Sequence, residues 1–176
     1  MRLIFWTGFW TFLADQALKF YVLYGLNLPE EQVIDVAPPY LVLRMAWNRG
    51  VNFGLFAEYD LRWFLIALAV VLCAIVIWWM ARSPQSRWAH ASAGLLVGGA
   101  LGNVVDRLYL PGVADFINMS CCGIYNPYAF NLADVAIFVG AVGLVLFTGD
   151  DDNGKGQRAG KRTGTGTARR RADKTS

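Results

Sequence analysis

Two aspartates in the second half of the chain stand alone in apolar surroundings. Asp115 lies in "GVADFINMS", and Asp134 lies nineteen positions later in "FNLADVAIF". An ionised carboxylate in hydrocarbon costs roughly 2.5 to 3.5 kcal/mol even on lenient insertion scales, so such a residue normally faces a bundle interior or a cavity. Two of them need a chemical reason.

A pair of carboxyl groups could supply peptide hydrolysis. Two carboxyls within hydrogen-bonding distance do not both ionise readily, so one keeps a proton while the other accepts one from water. The ionised group activates water, and the protonated group polarises the carbonyl and assists the departing amine. This predicts aspartyl proteolysis without a metal ion or other cofactor. Proton transport by a membrane transporter or channel is the alternative that the two aspartates alone leave open.

Other polar residues share helical faces with these positions. Asn103 precedes Asp106 by three residues and Arg107 by four, and Asn131 precedes Asp134 by three. Their side chains could hydrogen-bond the carboxyl pair or the backbone of a substrate. Mutual neutralisation of Asp106 and Arg107 at a membrane interface is the other interpretation of that pair.

The composition indicates a membrane protein. Of the 176 residues, 56% are hydrophobic and 16% are charged, which is too apolar for an ordinary soluble domain. Residues 150–176 carry 8 Lys/Arg, 4 Asp/Glu and no Leu, Ile, Val or aromatic residue, which predicts a disordered tail. Beside a membrane span, we interpret its basic residues as a topology signal that contacts anionic lipid, and not as a nucleic-acid site.

Four segments are long and apolar enough to cross the ~30 Å hydrocarbon core of a bilayer. The first carries Asp15 and Lys19 four residues apart on one helical face, where they could pair. A cleavable signal peptide is the weaker interpretation of this segment, because no small-x-small cleavage site follows it. The third contains small residues that allow close helix packing. The predicted spans are residues 3–24, 61–80, 88–110 and 130–148.

The basic residues predict the orientation of these spans. Arg2, Arg82 and Arg87 fall on the same side as the basic tail, so both termini should be cytoplasmic. Residues 25–60, predicted as short strands and turns, and residues 111–129 then lie on the outer side. Asp115 and Asp134 would both lie near the outer ends of the spans.

The cysteines and the histidine argue against other chemistries. Cys73, Cys121 and Cys122 are odd in number and fit neither a disulfide framework nor a zinc spacing. His90 has no obvious partner nearby in sequence, which makes a histidine-dependent triad unattractive. We therefore interpret the cysteines as packing residues or free thiols and His90 as a structural residue.

Four ordered blocks resemble the lipoprotein signal peptidases, also called signal peptidase II, of bacterial cytoplasmic membranes. The resemblance covers about residues 1–148. The blocks are "DQALK" at 15–19, "NRGVNFGLF" at 48–56, "GGALGNVVDRLYLPGVADFI" at 98–117 and "FNLAD" at 130–134.

The resemblance implies an aspartyl endopeptidase of the inner membrane that cuts prolipoproteins before a cysteine carrying diacylglycerol. Asp115 and Asp134 match its catalytic pair, while Asp15 and Lys19 match a structural motif of the first helix. The positions that line or support the substrate site are Asn48, Gly54, Asn103, Asp106, Arg107 and Asn131.

The family architecture supplies the remaining expectations. It implies an all-α membrane protein with four transmembrane helices, a small extracytoplasmic β-cradle and a short surface helix. The peptidase domain would span residues 1–149, with the cradle at about 25–60 and the tail outside it at 150–176. The expected partners are prolipoproteins, membrane lipids and inhibitors of the globomycin type.

Overall fold

The computed structural model describes residues 1–50 and 61–148. Within these residues the chain forms four long helices, a short helix and a small antiparallel sheet. The elements are α1 (Arg2–Phe20), a π-helical turn (Tyr21–Gly25), α2 (Leu28–Glu31), β1 (Val33–Ala37), β2 (Leu41–Asn48), α3 (Arg62–Arg82), α4 (Arg87–Tyr109), β3 (Val113–Asn118) and α5 (Leu132–Phe147).

The long helices α1, α3, α4 and α5 coincide with the four apolar segments of the sequence to within a few residues at each end. In the described part of the chain, α3 is the helix that is both long and apolar enough to cross a membrane, and α5 is a shorter apolar helix. The predicted mostly helical architecture is therefore confirmed. The number of membrane crossings stays a prediction.

Helix α4 packs against the other three long helices, and its glycines permit this. A Cβ added at Gly98 would lie 2.9 Å from the Cα atom of Gly8 in α1, and one added at Gly99 would lie 2.5 Å from the carbonyl oxygen of Ala133 in α5. Backbones this close leave no room for a side chain. The close packing predicted from the small residues of this segment is confirmed.

The sheet lies at one end of the bundle and has the order β1-β2-β3 in the described residues. Both strand pairs are antiparallel, and Ala46 of β2 lies opposite Asp115 of β3. The cradle predicted within residues 25–60 is therefore incomplete, because residues 111–129, read as a connection, contribute a strand. That segment is short and pairs with a strand far away in sequence, so local pattern alone does not reveal it.

Two apolar clusters hold the ends of the molecule. At the sheet, Phe116 packs with Val22 and Leu28 and is 1% exposed. At the opposite end, a second cluster joins all four long helices and consists of Ile4, Met80, Ala89, Ala93 and Leu144. Because side chains alternate along a strand, burying Phe116 in the first cluster turns its neighbour Asp115 to the other face of β3.

Candidate active site

The end of the bundle that carries the sheet brings Asp115 and Asp134 together. Asp115 lies in the middle of β3, and Asp134 lies in the first turn of α5. The chain just before α5 pairs with β3: Phe130 donates its amide to the carbonyl of Ile117 at 3.0 Å and accepts the amide of Ile117 at 2.8 Å. This pairing sets the start of α5 beside the strand.

Asn131 contacts both aspartates. Its side-chain Nδ2 donates to Oδ1 of Asp115 at 2.6 Å, and its backbone amide donates to Oδ2 of Asp134 at 3.2 Å. Its Oδ1 accepts the backbone amide of Asp134 at 2.9 Å, which completes a capping box at the start of α5. One fully buried residue therefore caps the helix and links the two carboxyl groups.

Two further asparagines bind the remaining carboxyl oxygens. Asn48, at the end of β2, donates its Nδ2 to Oδ2 of Asp115 at 3.1 Å. Asn103, in α4, donates its Nδ2 to Oδ1 of Asp134 at 2.8 Å. Each carboxyl group is thus held by two amide donors, which fixes its plane.

The surroundings of Asp115 favour a proton on it. The residue is 4% exposed and lies on a strand outside the long helices. Burial, followed by the charge of Asp134, raises the pKa of Asp115 to about 6, although its bonds from Asn48 and Asn131 and the charge of Lys19 act in the opposite direction. Desolvation and a like charge are the two causes that keep a carboxyl protonated.

Behind the pair lies a buried ionic cluster. The Nζ atom of Lys19 lies 2.8 Å from Oδ2 of Asp15 and 2.7 Å from Oδ2 of Asp106, and all three side chains are at most 3% exposed. The predicted pairing of Asp15 with Lys19 is confirmed. In the part of the chain that the structure describes, the ion-pair partner of Asp106 is Lys19, so the alternative pairing with Arg107 is wrong.

Gln16 is a member of this cluster that the sequence did not single out. Its Nε2 lies within hydrogen-bonding distance of Oδ2 of Asp15 at 3.2 Å, Oδ1 of Asp106 at 3.1 Å and the carbonyl of Gly102 at 3.3 Å. A neutral side chain next to a charged one carries no distinctive pattern. Membership of the "DQALK" block was the available signal.

Arg107 does not use all of its hydrogen-bond donors among the described residues. Its Nη1 donates to the carbonyl of Asn103 at 3.1 Å, while its buried Nε has no hydrogen-bond partner among the described residues. Gly54, the remaining residue predicted for the site, lies outside the described residues. Within residues 1–50 and 61–148, no group of three or more His, Cys, Asp or Glu side chains could hold a metal ion.

The arrangement of helices and sheet is that of bacterial membrane enzymes. Two solved structures of such enzymes, determined by the in meso method at 1.9 Å and 2.3 Å resolution, match with TM-scores of 0.72 and 0.69. They are 21% and 17% identical to this chain, cover 83% and 96% of it, and are themselves covered over 92% and 94% of their length.

The sequence comparisons narrow this class to a family. The family model described as signal peptidase (SPase) II matches residues 8–148. A lipoprotein signal peptidase of Methylobacterium sp. is 41% identical over 140 residues, which are 78% of this chain and 83% of that protein. One of Rhodopseudomonas palustris is 39% identical over 150 residues, which are 82% and 90% of the two chains. The chain belongs to the signal peptidase II family.

Proposed function

We propose that this chain hydrolyses the peptide bond on the N-terminal side of the lipidated cysteine of prolipoproteins, with Asp115 and Asp134 as its two catalytic carboxyl groups. Membership of the signal peptidase II family makes the chain a protease that removes lipoprotein signal peptides. The observation that supports the aspartyl mechanism is the linkage of both carboxyl groups through Asn131.

The two aspartates would divide the chemistry according to their surroundings. Burial favours the proton on Asp115, so this residue is the acid. Asp134 is partly exposed, lies at the N-terminal end of α5 and receives two amide donors, a setting that suits a negative charge. We therefore assign Asp134 as the base.

In this scheme Asp134 takes a proton from water as the water oxygen attacks the scissile carbonyl carbon. Asp115 donates its proton to the carbonyl oxygen, which gives a neutral diol with both hydroxyl groups on the former carbonyl carbon. When the C–N bond breaks, Asp134 passes its proton to the departing amine and Asp115 recovers its own. The two carboxyls then return to their starting states, with water consumed.

The polar residues around the pair would hold the substrate. We assign the partly exposed side chain of Arg107 and the exposed side chain of Asn48 to this role. Asn103 and Asn131 would keep the carboxyl planes fixed during the reaction. We assign Gly54 to the same substrate groove on the resemblance alone, and a cyclic lipopeptide such as globomycin would compete for it.

The exposed surface supports four membrane crossings. The outward faces of α1, α3 and α5 carry large apolar side chains that a soluble protein would bury. They include Trp6, Trp10, Phe64, Ile75, Phe138 and Val145, each more than half exposed. We propose that lipid covers these faces, that both termini and residues 150–176 are cytoplasmic, and that the site opens near the outer leaflet. Acyl chains on the cysteine could then stay in hydrocarbon while water reaches the peptide.

The proposed dyad is tested with purified protein and a diacylglyceryl-modified prolipoprotein. We expect wild type to cleave it, and Asp115→Asn and Asp134→Asn each to lose at least roughly 1,000-fold in kcat, because neither can complete the proton transfers. Asp35→Asn, at an exposed carboxylate of β1, is the matched control and should keep full activity.

Either dyad variant cleaving at the wild-type rate would refute the assigned roles. The transporter alternative has no support from the family comparisons. It would require proton flux in vesicles made with protein that lacks peptidase activity.

A further inference from the structure

The buried ionic cluster reaches the backbone on both sides of the proposed active site. Oδ2 of Asp106 accepts the amide of Ala114 at 3.2 Å, and Oδ1 of Asp15 accepts the amide of Ala133 at 2.9 Å. Ala114 immediately precedes Asp115, and Ala133 immediately precedes Asp134. Each carboxylate of the cluster therefore holds the residue next to one member of the proposed dyad.

Lys19 joins these two attachments. Its ammonium lies between Asp15 and Asp106, at 2.8 Å and 2.7 Å, and donates to Oδ1 of Asn103 at 3.1 Å. An ammonium group only donates hydrogen bonds, so it fixes which atom of the Asn103 amide faces it. The Nδ2 of Asn103 is thereby directed to Asp134.

The surrounding backbone leaves this cluster little freedom. Ala114 and Ala133 are fully buried, and a Cβ added at Gly102 would lie 2.6 Å from Oδ2 of Asp15. Asp106 is 2% exposed and its oxygens are occupied by Lys19, Gln16 and Ala114. Asp106 is therefore poorly placed to contact a substrate, so of the two roles that the resemblance implied, lining or supporting the site, its contacts fit the second.

We propose that Lys19, with Asp15 and Asp106, is a positioning cluster that sets the separation and orientation of the Asp115 and Asp134 carboxyl groups through the amides of Ala114 and Ala133 and through Asn103. The proposal rests on the proposed function, because it needs this pair to be the catalytic one. The described hydrogen bonds of the cluster reach neighbours of the two carboxyls, and in addition the charge of Lys19 lowers the pKa of Asp115.

A purely structural role makes a different prediction. Buried ion pairs contribute little net stability and can often be replaced by apolar groups without loss of folding. If the cluster only fills space, a well-tolerated replacement should leave turnover unchanged. If it positions the dyad, a small displacement should lower kcat while substrate affinity stays near its original value.

The sharpest test compares two substitutions at one position. Asp106→Asn keeps an oxygen that can accept the Ala114 amide, whereas Asp106→Ala removes it. We expect kcat to fall by less than about 10-fold in the first and by at least about 100-fold in the second, with KM within about 3-fold of wild type in both. Ser92→Ala, at a buried polar residue of α4 outside the cluster, should keep wild-type kcat and KM.

A double variant tests the same proposal if Asp106→Ala does not fold. Lys19→Met combined with Asp106→Asn removes one positive and one negative charge, so the net charge of the cluster is unchanged. We expect this protein to fold, as judged by its melting temperature, and to lose at least about 10-fold in kcat because Asn103 is no longer fixed.

Equal kcat in Asp106→Asn and Asp106→Ala, or wild-type kcat in the folded double variant, would overturn the positioning role. Asp115→Asn and Asp134→Asn, purified and assayed in parallel, distinguish this failure from failure of the proposed function. If those two variants are inactive while the cluster variants are unaffected, only the positioning role is wrong. If they remain active, the catalytic assignment itself is wrong.

Discussion

The two ends of the helix bundle each hold an apolar cluster, but the sheet end also buries charged side chains. At the end away from the sheet, the interior is the apolar cluster around Ile4, Met80 and Leu144. At the sheet end, the buried side chains of Asp15, Lys19 and Asp106 lie in the interior in addition to the apolar cluster around Phe116. Apolar contacts suffice to join helices, whereas burying charged side chains carries a desolvation penalty that packing alone does not require. The difference indicates that the sheet end is organised for chemistry.

The helix caps offer the largest expected contrast between the two ends. Asn131 caps α5 at the proposed site, and Ser86 caps α4 at the opposite end by accepting the amide of Ala89 at 3.1 Å. Loss of either cap should cost about 1 kcal/mol in the free energy of unfolding. Asn131→Ala should also lower kcat by at least roughly 100-fold, because the Asp115 carboxyl loses the Nδ2 donor of Asn131 and the first turn of α5, which carries Asp134, loses its cap.

Ser86→Ala is the control for this comparison and should retain wild-type kcat. Denaturation and turnover would be measured on the same preparations. A similar kcat for Asn131→Ala and Ser86→Ala would show that the two ends do not differ in the way described.

Alanine substitutions at two glycines, one towards each end of the bundle, should differ less in their effect on kcat. A Cβ at Gly102 would meet Asp15 at 2.6 Å, whereas a Cβ at Gly140 in α5 would meet the backbone of Leu96 and Ser92 at 2.6 Å. Both alanine variants overpack the bundle and should cost roughly 1 to 3 kcal/mol in stability. Gly102→Ala should in addition lower kcat by about 10-fold, since it displaces the ionic cluster.

Activity per folded molecule would be compared for the two glycine variants, with the folded fraction taken from thermal melts. Gly140→Ala should match wild type after this correction. An equal loss in both variants would mean that general packing, and not the cluster, limits turnover.

The smallest expected effect is a shift in the pH dependence of kcat/KM. With Asp115 as the acid, kcat/KM should decline as pH rises through the pKa of Asp115, about 6 in the free protein. The hydrogen bond from Asn48 lowers this pKa. Removing it in Asn48→Ala should raise the pKa of Asp115. The alkaline limb of the kcat/KM profile should then move to higher pH by about half a pH unit.

Asp35→Asn would serve as the control for the profile, because its carboxylate is exposed on β1. Its alkaline limb should coincide with that of wild type. A shift of the Asn48→Ala limb to lower pH would contradict the assignment of Asp115 as the acid.

The sequence predicted the features that depend on local pattern. The apolar segments gave the four long helices, and the four-residue spacing of Asp15 and Lys19 predicted their ion pair. The nearness of Asp115 and Asp134 followed from the predicted chain direction of the third and fourth helices. Their catalytic roles remain a prediction.

Features that depend on non-local backbone contacts could not be predicted from the sequence. Strand β3 forms because it pairs with β2 and with Phe130, and neither partner is adjacent to it in sequence. The bonds from Ala114 and Ala133 to the ionic cluster involve backbone amides, which every residue except proline possesses. Such contacts leave no signature in the order of side chains.

The most direct test of the account is infrared difference spectroscopy of the protonated carboxyl band as pH is raised from 4.5 to 7.5. We expect wild type to show a band that titrates near pH 6 and that is lost in Asp115→Asn. Asp35→Asn should keep it. A wild-type band that persists unchanged in Asp115→Asn, or the absence of any buried protonated carboxyl at pH 4.5, would contradict the claim that Asp115 holds the proton beside Asp134.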